Sequence, residues 1–202
     1  MAGRLQIKII FLLFAAYIAV ACHREVNPDT VAYYYSTDSV KDGDIILRKS
    51  YGLVSEIIAI QLHDTIDISH CGIIVRDSGQ TFRVIHSLSK KVSETDGVQE
   101  CSLDDFMSDS QPQTVKVLRF KNDHDNRIAQ GAVSCLTRKI PFDDSFNSAD
   151  TNYLYCSELP IHIIRSAYGT DISYGAAKPK FSIFLNPLYF REIPFVRKKL
   201  PE

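Results

Sequence analysis

Residues 68–88 read ISHCGIIVRDSGQTFRVIHSL, and this stretch decides the fold. Two β-rich runs, 68–76 and 81–88, flank DSGQ at 77–80, whose Asp, Ser and Gly are the residues that close tight turns. The pattern predicts an antiparallel hairpin. Period-two alternation puts His70, Gly72 and Ile74 on one face and Cys71, Ile73 and Val75 on the other. On the second run Phe82, Val84 and His86 share a face, so the turn brings His86 opposite or diagonal to His70. Gly72, beside His70 on that face, leaves room for another element such as the Cys156 helix to approach closely.

Working outward, GDIILR (43–48) reads as a strand, YGLVSEIIAIQL (51–62) as a helix and TVKVLRF (114–120) as a further strand. Ser102 starts a short capped helix in SLDDF, and Asp123 or Asp125 caps a longer one through residues 126–140. In that helix Ile128, Ala132, Leu136 and Ile140 form one stripe, which makes neighbouring Cys135 structural. Residues 141–151 form a loop. A helix is expected over 156–168, ending before Gly169 at a C′ position, with Pro160 tolerated in its first turn. Past 170, Pro179, Pro187, Pro194 and Pro201 imply coil with a short strand or two.

The start of the chain is a different kind of segment. Arg4 and Lys8 precede an uncharged run over residues 9–21, shorter than the ~20 residues that span a bilayer. It reads as a secretory signal. The ending AVAC resembles a bacterial lipobox, with Ala19 where Leu is usual, and implies cleavage before Cys22 and acylation of that cysteine. Residues 22–40 are then a lipid-anchored tether and 41–202 the domain, facing the periplasm or the outer membrane of a bacterial envelope. An ordinary signal cut near Ala21, releasing a secreted protein, is the alternative.

With 23 basic and 24 acidic side chains and a net charge of −1, the chain is no nucleic-acid binder by composition. Its basic clusters, KK at 90–91 and RKK at 197–199, read as solvated ends and loops. Cys71, Cys101, Cys135 and Cys156 show no CxxC spacing, and the domain is long enough to hold a core without a disulfide framework. One bridge among Cys71, Cys101 and Cys135 stays open in an oxidising compartment. A metal centre is disfavoured, because His70 and Cys71 are adjacent on a strand and point apart. No cofactor is expected.

Cys156 stands at the expected start of the 156–168 helix, where unpaired amides and the helix dipole stabilise a thiolate and a developing oxyanion. His70 supplies the base such a nucleophile needs, and His86 a group to orient it. DGDIILRKSYGLVS (41–54), DISHCGIIV (67–75), VIHS (84–87), SLDDF (102–106) and YCSEL (155–159) resemble the YiiX/YebB branch of the NlpC-type papain-like cysteine hydrolases. That branch is circularly permuted, its histidine strand preceding its cysteine helix, as His70 precedes Cys156 here.

The resemblance covers roughly residues 41–168. It implies a permuted papain-like α+β fold, in which an antiparallel sheet or barrel packs on the cysteine helix. It further implies that Cys156 is nucleophile, His70 general base and then acid, and His86 the third polar residue, where many relatives have Glu. Tyr155 resembles a family tyrosine that adds a hydroxyl to the site, against the alternative of a packed aromatic. Asp44, also a family feature, reads as structural. The expected activity is hydrolysis of an amide through a thioester, on a cell-wall peptide or a lipid-linked amide. An acyltransferase, and a lipoprotein that binds peptide or lipid without turnover, are the competing readings. Oligomeric state is not encoded in any of these signals.

Overall fold

The structure, a computed structural model, describes residues 33–51, 55, 58, 60, 62–111, 113–195 and 197–199. The expected signal and Cys22 lie outside the described residues. By contacts the chain divides into two units. The smaller contains a two-stranded antiparallel ribbon, β1 (Tyr33–Tyr35) with β8 (Arg197–Lys199). Three residues of the stretch read as a tether are therefore extended and paired.

The larger unit, Ser36–Val196, is built on a six-stranded antiparallel sheet. Its strands are β2 (Ile45–Arg48), β3 (His70–Arg76), β4 (Phe82–Leu88), β5 (Gly97–Ser102), β6 (Lys116–Phe120) and β7 (Phe190–Ile193), in the order β5-β4-β3-β2-β6-β7. The hairpin at 68–88 forms as its turn chemistry dictates: the Asp77 carboxylate accepts from the amides of Gly79 at 2.8 Å and Thr81 at 2.9 Å. Ser55, Ile58, Ile60 and Leu62 are helical, in line with the pattern at 51–62. Asp44, fully buried before β2, accepts from Arg119 through both oxygens at 2.7 Å and from the Lys41 amide at 2.8 Å. Its role is structural.

Beyond the helical residues within 55–62, the described residues form α1 (Leu103–Ser108), α2 (Arg127–Thr137) and α3 (Glu158–Tyr168). Ser102 caps α1 by accepting from the Asp105 amide at 3.0 Å. At α2 the N-cap is Asn126 in a left-handed conformation, and Asp123 accepts from the Arg127 amide at 2.9 Å. The helix stops at Thr137, short of the 140 expected, and Ile140 is buried beyond its end. Cys135 is buried on the face of α2 that carries Ile128 and Ala132. Pro160 is the third residue of α3, where the missing amide costs no intrahelical bond, and left-handed Gly169 closes it. Among the described residues no helix is long and apolar enough to cross a membrane.

One face of the sheet holds the main core, in which Ile45, Leu47, Cys71, Ile73 and Ile85 pack with Ala132 of α2 and with Leu159 and Ile163 of α3. Each fully buried aliphatic side chain there contributes about 1.5–3 kcal/mol. Gly131 lets the two helices meet, since a Cβ at that position would run into Ile163. The alternate positions Arg48, His70 and His86 face the other way, where Phe106 of α1 covers them.

Candidate active site

Two histidines on neighbouring strands form the centre of the site. Extending the β3–β4 register, in which Ile73 pairs with Ile85, sets Gly72 opposite His86 and makes His70 its diagonal neighbour. His70 Nε2 and His86 Nδ1 are 2.8 Å apart. A Cβ on Gly72 would collide with Val84 Cγ1 and lie 3.3 Å from His86 Cβ, so the glycine clears the space across which the imidazoles meet.

Both rings are buried, and Phe106 stacks on His70 with centroids 5.6 Å apart while meeting His86 edge-on at 5.8 Å. Beneath this aromatic layer lies Arg48, the cross-strand partner of His70. Its guanidinium sits 4.2 Å from the Phe106 centroid, donates to the Phe106 carbonyl at 2.6 Å and pairs with Asp109 at 2.9 Å. Burial, then the nearby Arg48 charge, hold His70 well below its ordinary pKa and push His86 down to about 3. The pair is therefore neutral at physiological pH. When His70 Nε2–H donates to His86 Nδ1, His70 keeps a lone pair on Nδ1 and can act as a base; the opposite tautomer removes that capacity.

Cys156 sits in the turn ahead of α3, two residues before the first helical position, whereas the sequence pattern placed the helix start at 156. The reason is the local bonding: the amides of Glu158 and Leu159 both donate to the Tyr155 carbonyl at 3.1 Å. Those two groups are thus committed, while among the described residues the amides of Cys156 and Ser157 have no hydrogen-bond partner. The Cys156 side chain is 2 % exposed, and its carbonyl accepts from the Cys71 thiol at 3.0 Å. Among the described residues no hydrogen bond joins the Cys156 thiol to either imidazole. The structure thus joins His70 to His86 directly and Cys156 to Cys71.

Tyr155 is fully buried and its hydroxyl donates to the Pro179 carbonyl at 3.3 Å, which the Ser157 hydroxyl also reaches at 2.7 Å. These bonds fix the flanks of Cys156 onto the 179 segment. Beside His70 is a cavity of about 250 Å³ with Arg48, Ser50, Ser69 and Asp109 at its polar side and Ile58 and Leu88 among its apolar walls. Arg48 and Phe106 escaped the sequence reading. A charge at the end of the otherwise apolar strand IILR, in phase with buried Ile46, was the available signal. The four described cysteines are unpaired, so the open disulfide among Cys71, Cys101 and Cys135 is not formed. Among the described residues no three His, Cys, Asp or Glu side chains group as metal ligands.

An antiparallel sheet whose histidine strand precedes a helix carrying a cysteine at its head is the permuted papain-like arrangement. Residues 39–178 match the family described as permuted papain-like amidase enzymes, YaeF/YiiX, C92, and the chain belongs to that family. The crystal structure of a protein described as metalloprotein yiiX from Escherichia coli O157:H7 superposes with a TM-score of 0.61 at 18 % identity. The match covers 77 % of this chain and 97 % of that one. No curated protein matches the chain.

Proposed function

We propose that the protein is a cysteine amidase acting through a thioester on Cys156, with His70 as general base and His86 as the residue that orients it. The single observation that carries this reading is the buried 2.8 Å bond between His70 Nε2 and His86 Nδ1, which leaves His70 Nδ1 free for proton transfer. Attack by the Cys156 sulfur on an amide carbon forms a tetrahedral oxyanion, for which the unpartnered amides of Cys156 and Ser157 are suited donors. His70 then returns the proton to the leaving amine, and water, deprotonated by the same nitrogen, releases the acid from the thioester.

The cavity beside His70 supports a short substrate group. At about 250 Å³ it falls below the ~300–1,000 Å³ of sites that enclose drug-sized ligands, so it suits one side chain or a short acyl group and not a long lipid chain. This favours peptide amides over fatty-acyl amides. The resemblance of AVAC to a lipobox supports acylation of Cys22, and hence a bacterial envelope protein held at the membrane by its N-terminus.

The test is turnover of two fluorogenic series, peptidyl and long-chain acyl amides, by the domain and by Cys156→Ala. Release from peptidyl amides by the parent alone supports the reading. Preference for long-chain amides overturns the substrate class, and equal release by both proteins overturns the mechanism. Intact mass of the protein purified from its native membrane reads the anchor: acyl chains on Cys22 are expected, and an unmodified mature N-terminus refutes it.

A further inference from the structure

Cys71 has no part in the proposed chemistry, yet its side chain lies against Cys156. It follows His70 on β3 but points to the opposite face, into the core beneath the turn that leads into α3. Its thiol is fully buried and donates to the Cys156 carbonyl at 3.0 Å, across 85 positions of sequence. Burial, and then the neighbouring Cys156 thiol, raise the Cys71 pKa well above its ordinary value. Both cysteines are unpaired in the structure. A second thiol held against a nucleophilic cysteine, with no other side-chain hydrogen bond among the described residues, is the arrangement of a resolving cysteine.

We propose that Cys71 and Cys156 form a reversible disulfide when the protein meets a hydroperoxide, a modification that takes the nucleophile out of use. The linkage stands on the Cys71–Cys156 contact alone; its effect on turnover rests on the amidase reading. In the first step the Cys156 sulfur attacks one peroxide oxygen, the O–O bond breaks, and Cys156 becomes a sulfenic acid while hydrogen peroxide is reduced to water. In the second, the Cys71 sulfur attacks the sulfenic sulfur, the S–O bond breaks, and hydroxide leaves with the Cys71 proton as a second water. Cys71, kept as a thiol by its surroundings, is not the sulfur that the oxidant meets first. A dithiol reductant reverses the linkage. Without Cys71 the sulfenic acid has no partner and a second peroxide carries it to the sulfinic acid, which a dithiol does not reverse.

The experiment treats parent, Cys71→Ser and Cys71→Ala proteins with increasing hydrogen peroxide, then reads intact mass and non-reduced tryptic peptides, followed by dithiothreitol and iodoacetamide labelling of Cys156. In the parent we expect loss of two hydrogen masses, a peptide joining residues 71 and 156, at least tenfold less labelling of Cys156, and recovery with dithiothreitol. In both variants Cys156 gains two oxygens and labelling does not return. Having two substitutions guards against a packing defect in one. Sulfinic Cys156 in the parent without a linked peptide overturns the proposal, as does a link between any other pair or a parent that resists peroxide. These readouts are masses, so an amidase assay that fails for the parent removes the functional reading without touching the linkage.

Discussion

His70 and His86 meet diagonally across β3 and β4, Nε2 to Nδ1 at 2.8 Å, and the residue opposite His86 is Gly72. The contact exists because one face of the hairpin carries a large ring, no side chain, and a second ring in the needed order. Its chemical content is directional: His70 keeps a lone pair on Nδ1 for proton transfer only in the tautomer whose Nε2–H donates to His86 Nδ1.

Replacing His86 separates orientation from charge. His86→Ala is expected to lower kcat by about 10²-fold, within the range of a positioned acid–base group, while His86→Asn, whose amide oxygen also accepts, recovers part of the loss. Steady-state kinetics on the substrate found in the peptidyl series check this. Equal activities for Ala and Asn would remove the orienting role.

Gly72→Ala tests the spacing. The new methyl overlaps Val84 Cγ1 and crowds His86, so the strands must shift. Urea unfolding should show a loss of about 1–3 kcal/mol, the usual consequence of overpacking, and kcat should fall with it. An unchanged midpoint would mean that β3 and β4 part at no cost.

The histidine pair makes the fold sensitive to acid. Burial and Arg48 hold both pKa values down in the folded state, His86 to about 3, against ~6.5 when unfolded. The unfolded chain then binds more protons between these limits. Stability from His86 is full above pH ~6.5 and is lost as the pH falls toward 3, by on the order of 3 kcal/mol at pH 4. Stability should fall this way from pH 7 to 4 in the parent and less steeply in His86→Gln, which keeps only the His70 contribution.

Glu158 acts in the opposite direction. It is buried, its Oε2 lacks a hydrogen-bond partner among the described residues, and burial pushes its pKa up to about 7 from the ordinary carboxyl value. Here the folded state binds the extra proton, so the group's stability is present at pH 4 and is lost as the pH rises through 7. Glu158→Gln should therefore raise the unfolding free energy at pH 8 by about 1 kcal/mol or more, the cost of an unsatisfied buried polar group, and change it little at pH 5. Thermal melts at the two pH values decide it.

Much of this was legible locally. The hairpin at 68–88, the Ser102 cap, the proline in the first turn of α3 and its terminal Gly169 each follow from short-range preferences of the residues concerned, and the structure has all four. Strand β5 was not legible, because GVQECS is an edge strand, half-exposed and bonded in the sheet only to β4, and carries little hydrophobic pattern. Strand β7 was anticipated only as some short strand past residue 170.

The sequence by itself determined the hairpin, the order of histidine strand and cysteine helix, and the faces on which His70 and Cys71 lie, since these depend on periodicity and turn chemistry between near neighbours. Tertiary structure alone decided the rest. That Arg48 lies across from His70, that Phe106 covers both imidazoles, that Tyr155 spends its hydroxyl on Pro179 and that Cys71 rests on Cys156 are contacts between distant segments. They are set by strand order and by how α1 and the turn before α3 pack on the two faces of the sheet. Such packing is a property of the whole core, to which no single stretch of residues points.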